Sequence, residues 1–324
     1  MSGPTRDVDV SVVIPVYGSA SILPALIRNI ETVLGAAPGI GSFELILVHD
    51  CGPDDAWRVI VEHARSRPWL RGINLAKNAG QHNAIMAGLN VARGATVVTM
   101  DDDLQHDPAD IPRILASLEP DCDLCYVEFE SRHHALWKRF GSWLNGVMAR
   151  ALLGKPKGLY LSPFRGIRSQ VLDVVLRYDG PYVYLDGLLL QATSRITTIT
   201  ATHHARSDGA SGYSVRKSVS LWLKMATSFS TTPLRLVSVA GVLGAILGVL
   251  FAVIVLVEKL LEPAMAIGWP SLMISIFLFG SLQLLALGAI GEYIGRILLT
   301  INKRPQYVVR SRVNANADAD ADVE

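Results

Sequence analysis

Over roughly the first 130 positions, short apolar runs alternate with segments whose apolar residues recur at helical spacing. Val10 to Val16 reads as a buried strand and about 21 to 35 as a helix. The pair then repeats: a strand over Phe43 to Val48 and a helix over 54 to 66, a strand over Gly72 to Leu75 and a helix over Gln81 to Ala92. Ala95 to Met100 forms a further strand, followed by a helix near 110 to 118 and a strand near 123 to 129. Such alternation predicts an α/β domain with a mostly parallel sheet. In these sheets ligands bind beyond the carboxyl ends of the strands. Asp50 and Asp101 fall at two of those ends.

The pattern changes in the C-terminal third. Leu236 to Val257 runs 22 residues without a charge, and Ala264 to Gly291 runs 28. Each exceeds the roughly 20 residues that span a bilayer core. Two transmembrane helices are therefore expected within 232–300, at about 236–257 and 266–291. Gly241, Gly244 and Gly248 in the first stretch, and Gly280, Gly288 and Gly291 in the second, are suited to close helix packing and allow a homo-oligomer. Arg216, Lys217, Lys224 and Arg235 precede the pair, and Arg296, Lys303, Arg304, Arg310 and Arg312 follow it. This excess places both termini in the cytoplasm. Residues 134–153, with Trp137 and Trp143 at helical spacing, fit a soluble core helix or a helix lying in the membrane interface, and 214–230 reads as a second interfacial helix. Residues 301–324 read as a basic, then acidic, cytosolic tail, disordered from Ala315.

Composition narrows the classes. Half of the 324 residues are apolar, and the formal net charge of +1 gives no electrostatic footprint for nucleic acid. The polar N-terminus shows no signal peptide, so residues 1–231 are expected to be a cytosolic domain. Cys51, Cys122 and Cys125 cannot build a disulfide framework, and Cys122 and Cys125 read as small residues of a buried strand.

The candidate chemistry begins at Asp101-Asp102-Asp103-Leu104-Gln105, which ends a hydrophobic strand. Carboxylates one residue apart at a strand end suit a hard divalent cation, Mg²⁺ or Mn²⁺, with positions left for a substrate diphosphate. The competing reading is an acidic cap on the next helix. A second cluster, Arg206 to Lys217, sets a glycine-containing turn between basic residues and suits a phosphate or an anionic lipid surface.

Val12-Val13-Ile14-Pro15-Val16-Tyr17, Leu45 to Asp50, Asn78 to Ala84 and Met100 to Pro108 together resemble glycosyltransferase family 2. The resemblance is to its dolichol-phosphate mannose synthase and bacterial polyprenyl-phosphate glycosyltransferase branch, and Gly291 to Arg296 and Lys303 to Tyr307 extend it through the chain. It implies a GT-A (Rossmann-like) domain followed by a two-helix transmembrane anchor in a bacterial plasma membrane. The implied activity is transfer of a sugar, with inversion, from a UDP- or GDP-linked donor to an undecaprenyl- or dolichyl-type phosphate at the bilayer. By the same resemblance Asp101 and Asp103 hold the metal with Gln105 assisting. Pro15, Val16, Tyr17, Asp50, Gly80, Asp101 and Asp102 serve the nucleotide, and Arg165, Arg206, Ser211, Arg216 and Lys217 the acceptor phosphate. Asp103, Arg206 and Arg165 form the catalytic set, and Asp186 is the remaining candidate for a catalytic or orienting carboxylate, equally readable as a helix cap. Four positions depart from the family pattern: His49 replaces an acid, Gly18-Ser19 replaces Asn-Glu, and Pro163 replaces a proposed catalytic base. A phosphate monoester, with a second pKa of about 6, is already an anionic nucleophile without that base. A processive polysaccharide synthase would carry a Gln-x-x-Arg-Trp motif, which is absent. A non-catalytic lipid-carrier scaffold would have no use for the acidic cluster.

Overall fold

The computed structural model describes residues 6–118, 121–129, 155–156, 158–201, 232–261 and 268–314. The expected interfacial helices, 134–153 and 214–230, and the acidic end 315–324 lie outside them. Two compact units result: Met1–Gly212 with Lys303–Glu324, and Tyr213–Asn302.

The first unit is built as the periodicity predicts. Strands β1 (Val8–Val16), β2 (Phe43–His49), β3 (Leu70–Leu75) and β4 (Gly94–Thr99) alternate with helices α1 (Leu23–Ala36), α2 (Ala56–Ala64) and α3 (Gln81–Leu89). Helix α4 (Ile111–Ser117) and strand β5 (Leu124–Phe129) follow. Beyond them come β6 (Arg165–Arg168), α5 (Ser169–Val175), α6 (Leu185–Ala192) and β7 (Ile196–Ala201). The eight strands order as β7-β5-β6-β4-β1-β2-β3-β8, where β8 is Val309–Val313. Strands β1 to β4 are parallel, whereas β6 runs antiparallel to β4 and β5, and β8 antiparallel to β3.

Both faces of the central strands are covered, which is why they are nearly continuous apolar runs. Val12, Ile14, Leu45, Leu47 and Val98 join the side chains of α1, α2 and α4 in one core. On the other face α3 lies directly on the sheet at Gly88. A Cβ there would stand 2.4 Å from Val13 Cγ1, so no larger residue fits without moving the helix. Each fully buried Leu, Ile or Val contributes about 1.5–3 kcal/mol to this packing. Pro15, which lacks an amide donor, sits where the register of β1 with β4 has already ended at Val13–Thr99.

Strand β8 lies inside the segment read from sequence as a tail. It is half-buried against β3, and Asn314 closes it by donating to the carbonyls of Ala64, Arg67 and Leu70. Its five residues, Val-Arg-Ser-Arg-Val, put Val309, Ser311 and Val313 on one face and the two arginines on the other, too weak an apolar period to read as a strand among the surrounding basic residues.

The second unit contains helices α7 (Thr232–Leu261) and α8 (Trp269–Ile301). Among the described residues one stretch, Leu278–Ile301, is long and apolar enough to cross a membrane, and α7 carries a shorter apolar run, Val237–Phe251. Helix α8 continues well past Gly291, where the sequence reading ended the second span.

Candidate functional site

Beyond the carboxyl ends of β1, β2 and β4, a cavity of about 330 Å³ is lined by Pro15, Val16, Tyr17, Asp50, Asn78, Gly80, Gln81, Asp101, Asp102 and Asp103. The strands end here because turns, each with a residue in the left-handed region, redirect the chain. Gly18 (φ 74°) follows β1, Cys51 (φ 51°) follows β2, and Leu104 (φ 57°) lies within the acidic turn after β4. For Cys51 and Leu104, which carry a Cβ, that conformation costs of order 1 kcal/mol or more. Gly80 (φ 87°) opens α3 with nothing within 4 Å of a would-be Cβ, so its backbone is bare toward the cavity.

Asp50 is buried, and its two oxygens accept from Ala79 N (2.6 Å) and Gly80 N (2.9 Å). Burial raises its pKa above the usual carboxylate value, and those two amide donors oppose the rise. Each oxygen retains a second lone pair, so an incoming N–H can still be accepted.

The three acids of the cluster have three different partners. Asp101 accepts from Gln81 Nε2 at 2.6 Å. Asp102 accepts from Tyr17 N at 3.0 Å and from the Ser19 hydroxyl, tying β1 to the cluster. Burial raises the pKa of Asp102 against those two hydrogen bonds. Asp103 accepts from Gln105 N at 3.1 Å. The helix-capping explanation fails on geometry: Asp107, which accepts from Ala109 N at 2.9 Å, caps the short 3-10 turn Pro108–Asp110. His106 supports the cluster from beneath. Its ring is stacked between Phe129 and Phe164, at 5.3 and 5.2 Å, and its Nδ1 accepts from Asp101 N.

Among the described residues no three His, Cys, Asp or Glu side chains converge as a ready metal cage. Asp101, Asp102 and Asp103 all line the cavity, and with Asp102 bonded to Tyr17 N and the Ser19 hydroxyl, Asp101 and Asp103 are the pair that would meet a cation. One or two carboxylates completed by substrate phosphates is how Mg²⁺ is usually held, so the residues present fit a hard divalent cation.

Arg165 and Asp186 are absent from the cavity wall and pair with each other in the interior. Arg165 Nε donates to Thr99 Oγ1 (3.1 Å), the Thr99 hydroxyl donates to the Pro163 carbonyl (2.7 Å), and the guanidinium lies 5.7 Å above the Tyr126 ring centroid. The Tyr126 hydroxyl donates to Asp186 at 3.0 Å, and burial pushes its pKa far up. At Pro163, where the family pattern has an acid, the backbone carbonyl is what the structure uses. Arg206, Ser211, Arg216 and Lys217 lie outside the described residues.

Sequence reasoning assigned no role to Gln81, Ser19, Tyr126 or His82. His82 sits edge-on to Tyr184 at 5.1 Å, and its buried Nδ1 has no hydrogen-bond partner among the described residues. The signal for Gln81 and His82 was their place in the Asn78–Ala84 motif. For Tyr126 there was none, because an aromatic residue in a buried strand reads as core.

Comparison with known proteins is consistent with this architecture. Residues 11–176 match the family model described as Glycosyl transferase family 2. An undecaprenyl-phosphate 4-deoxy-4-formamido-L-arabinose transferase of Proteus mirabilis is 34% identical over 307 residues, covering 94% of each chain. A protein of the same name from Photorhabdus laumondii is 33% identical over 310 residues, 95% of each chain. Glucosyl-3-phosphoglycerate synthase of Mycobacterium tuberculosis aligns at 15% identity over 68% of this chain and 78% of its own, with a TM-score of 0.48. That score is too low to add to what the sequence matches establish.

Proposed function

Since the chain belongs to glycosyl transferase family 2, we propose that it moves a sugar from a UDP- or GDP-linked donor onto a polyprenyl phosphate at the cytoplasmic face of a bacterial membrane. The observation that carries this reading is the meeting of Pro15 to Tyr17, Asp50, Gly80 and Asp101 to Asp103 around one cavity at the strand ends. Acceptor and donor sugar class rest on the relatives' names, which make a 4-deoxy-4-formamido-L-arabinose donor the first to test.

In this reading the exposed ring of Tyr17 offers a face to the nucleotide base, Asp50 accepts from it, and bare Gly80 admits the diphosphate. Asp101 and Asp103, with Gln105 beside them, would hold Mg²⁺ or Mn²⁺, which would neutralise charge on the departing nucleoside diphosphate. An oxygen of the acceptor phosphate attacks the anomeric carbon opposite the diphosphate. The sugar–diphosphate bond breaks with its electron pair leaving on the diphosphate, and the configuration inverts. Arg165 and Asp186, locked together, position the floor of the reaction space, while Arg206, Ser211, Arg216 and Lys217 take the acceptor phosphate.

Helices α7 and α8 are assigned as a two-helix anchor. Support comes from their exposed apolar side chains, among them Val242, Ile246 and Leu250 on α7 and Leu284 and Leu285 on α8, a surface that water disfavours and a bilayer accepts.

Membranes containing the protein, labelled nucleotide-sugars, undecaprenyl phosphate and Mn²⁺ should carry label into the lipid phase, and a chelator should stop it. Label that stays aqueous with every donor overturns the proposal. Asp103→Ala should lower transfer by about 10³-fold or more while the protein stays in the membrane. NMR of the lipid-linked product should give the anomeric configuration opposite to the donor's.

A further inference from the structure

His49, where the family pattern carries an acid, occupies one rung of a row that crosses the sheet. Val16 of β1 is in register with His49 of β2, His49 with Asn74 of β3, and Asn74 with Ser311 of β8. The side chains are linked along that row. Gly52 N donates to His49 Nε2 at 3.1 Å, so this nitrogen carries no proton. The proton is on Nδ1, which donates to Asn74 Oδ1 at 2.9 Å. That leaves the Asn74 amide nitrogen as donor, and it meets Ser311 Oγ at 3.4 Å. His49 and Asn74 are both buried, so an unmatched polar atom in either would go unsolvated.

What hangs from this row is the turn His49–Gly52, and it is tightly held. Cys51 is in the left-handed region, and Gly52 packs so closely that an added Cβ would lie 3.0 Å from Gly18 N. Asp50 stands inside the turn and grips the amides of Ala79 and Gly80. Three walls of the cavity thus meet at a turn whose Gly52 amide is held by the His49 ring.

We propose that His49, Asn74 and Ser311 act as a positioning relay through which β8, the strand that follows α8 in the chain, sets the affinity of the cavity for a nucleoside diphosphate. The proposal rests on the reading of that cavity as a nucleotide site. Through Gly52 the relay holds Asp50 and the 79–80 amides in the geometry that receives the nucleotide.

The test uses the full-length protein in detergent or nanodiscs, with UDP and GDP titrated calorimetrically and donor KM and kcat measured in the lipid-transfer assay. Three variants divide the relay. His49→Asn keeps a donor for Asn74 and removes the acceptor for Gly52. His49→Gln places a carbonyl where Nε2 was and restores that acceptor. Ser311→Ala removes the β8 end. His49→Asn should weaken nucleotide binding and raise donor KM about tenfold with kcat nearly unchanged, as expected for one lost hydrogen bond to a buried amide. His49→Gln should recover most of that loss, and Ser311→Ala should cost about 2- to 3-fold, within the range of a neutral hydrogen bond. Combined with His49→Gln, which cuts the Asn74 link, Ser311→Ala should add nothing further. A merely structural role would lower kcat through a smaller folded fraction and leave KM alone, and that outcome overturns the proposal. Equal effects of Ser311→Ala on both backgrounds also overturn it. Wild-type protein that binds neither nucleotide overturns the cavity assignment itself, whereas tight binding unchanged in all variants overturns only the relay.

Discussion

Among the described residues the first unit contains two buried arginine–carboxylate pairs, and they lie toward opposite ends of one sheet. Near the amino ends, Glu44 of β2 accepts from Arg71 of β3 (2.8 Å), from the Ser11 hydroxyl of β1 (2.6 Å) and from Arg93 N (2.6 Å). Ser11 Oγ in turn accepts from Gly94 N of β4, so this pair stitches β1 to β4 together. Toward the carboxyl ends, Arg165 and Asp186 join β6 to α6 with Thr99 and Tyr126 as companions. The chemistry of the pairs is alike, but their surroundings differ. Glu44 is ringed by donors that define strand register. The Arg165–Asp186 cluster acts on the buried His82 ring, and its companion Thr99 stands two residues before Asp101. Position along the sheet therefore separates a register clamp from a cluster near the strand ends where such sheets bind ligands, the cluster that the proposed reaction takes as its floor.

The largest expected effect belongs to the clamp. Glu44→Ala strands the Arg71 guanidinium in the interior, and removing one partner of a buried pair costs about 3–5 kcal/mol. Denaturant unfolding of the purified protein should register that loss, while the protein that remains folded keeps its donor KM. A changed KM in the folded fraction would mean that the clamp reaches the cavity, and the contrast between the two ends would collapse.

Asp186→Asn is next. It retains the shape and one acceptor oxygen while removing the charge that faces Arg165. Transfer should fall by about 10²-fold, or 2.7 kcal/mol of transition-state stabilisation. Comparable stability loss with kcat intact would make this pair a second clamp instead.

How far this contrast was legible in the sequence depends on the range of the interaction. Strands β1 to β5 and helices α1 to α4 were readable because burial on one face or both imposes a period on neighbouring residues. Asp50 and Asp101 were readable as cavity residues because strand ends are where such sheets bind ligands. The Arg165–Asp186 pairing was not, since the two residues were singled out separately and only the antiparallel insertion of β6 beside β4 brings Arg165 next to Thr99. Strand β8 was lost for a related reason: its partner β3 lies more than 230 residues earlier in the chain, as the contact of Asn74 with Ser311 shows. Asp102 was read as a nucleotide residue, and nothing in the sequence announced that Tyr17 N and the Ser19 hydroxyl would both donate to it.

The smallest expected effect probes the unpartnered edge of the carboxyl-end cluster. Burial lowers the pKa of His82 from its ordinary 6.5, Asp186 opposes that shift and Arg165 reinforces it. The folded protein therefore holds a neutral imidazole where the unfolded chain, below about pH 6.5, takes up a proton. With the unfolded state binding more protons, stability falls as pH drops through 6.5 and levels off once the folded form also titrates. The slope is at most about 1.4 kcal/mol per pH unit. The raised Asp50 contributes with the opposite sign, favouring the fold at low pH and losing that contribution as pH rises through its folded value, so a single curve mixes the two. Subtraction separates them: thermal or denaturant stability of wild type minus that of His82→Gln, followed from pH 7.5 to 5, should fall toward acid pH. Parallel curves would show that the folded His82 ring takes up a proton as readily as the unfolded chain does, and burial at this edge of the cluster would then carry no pH dependence.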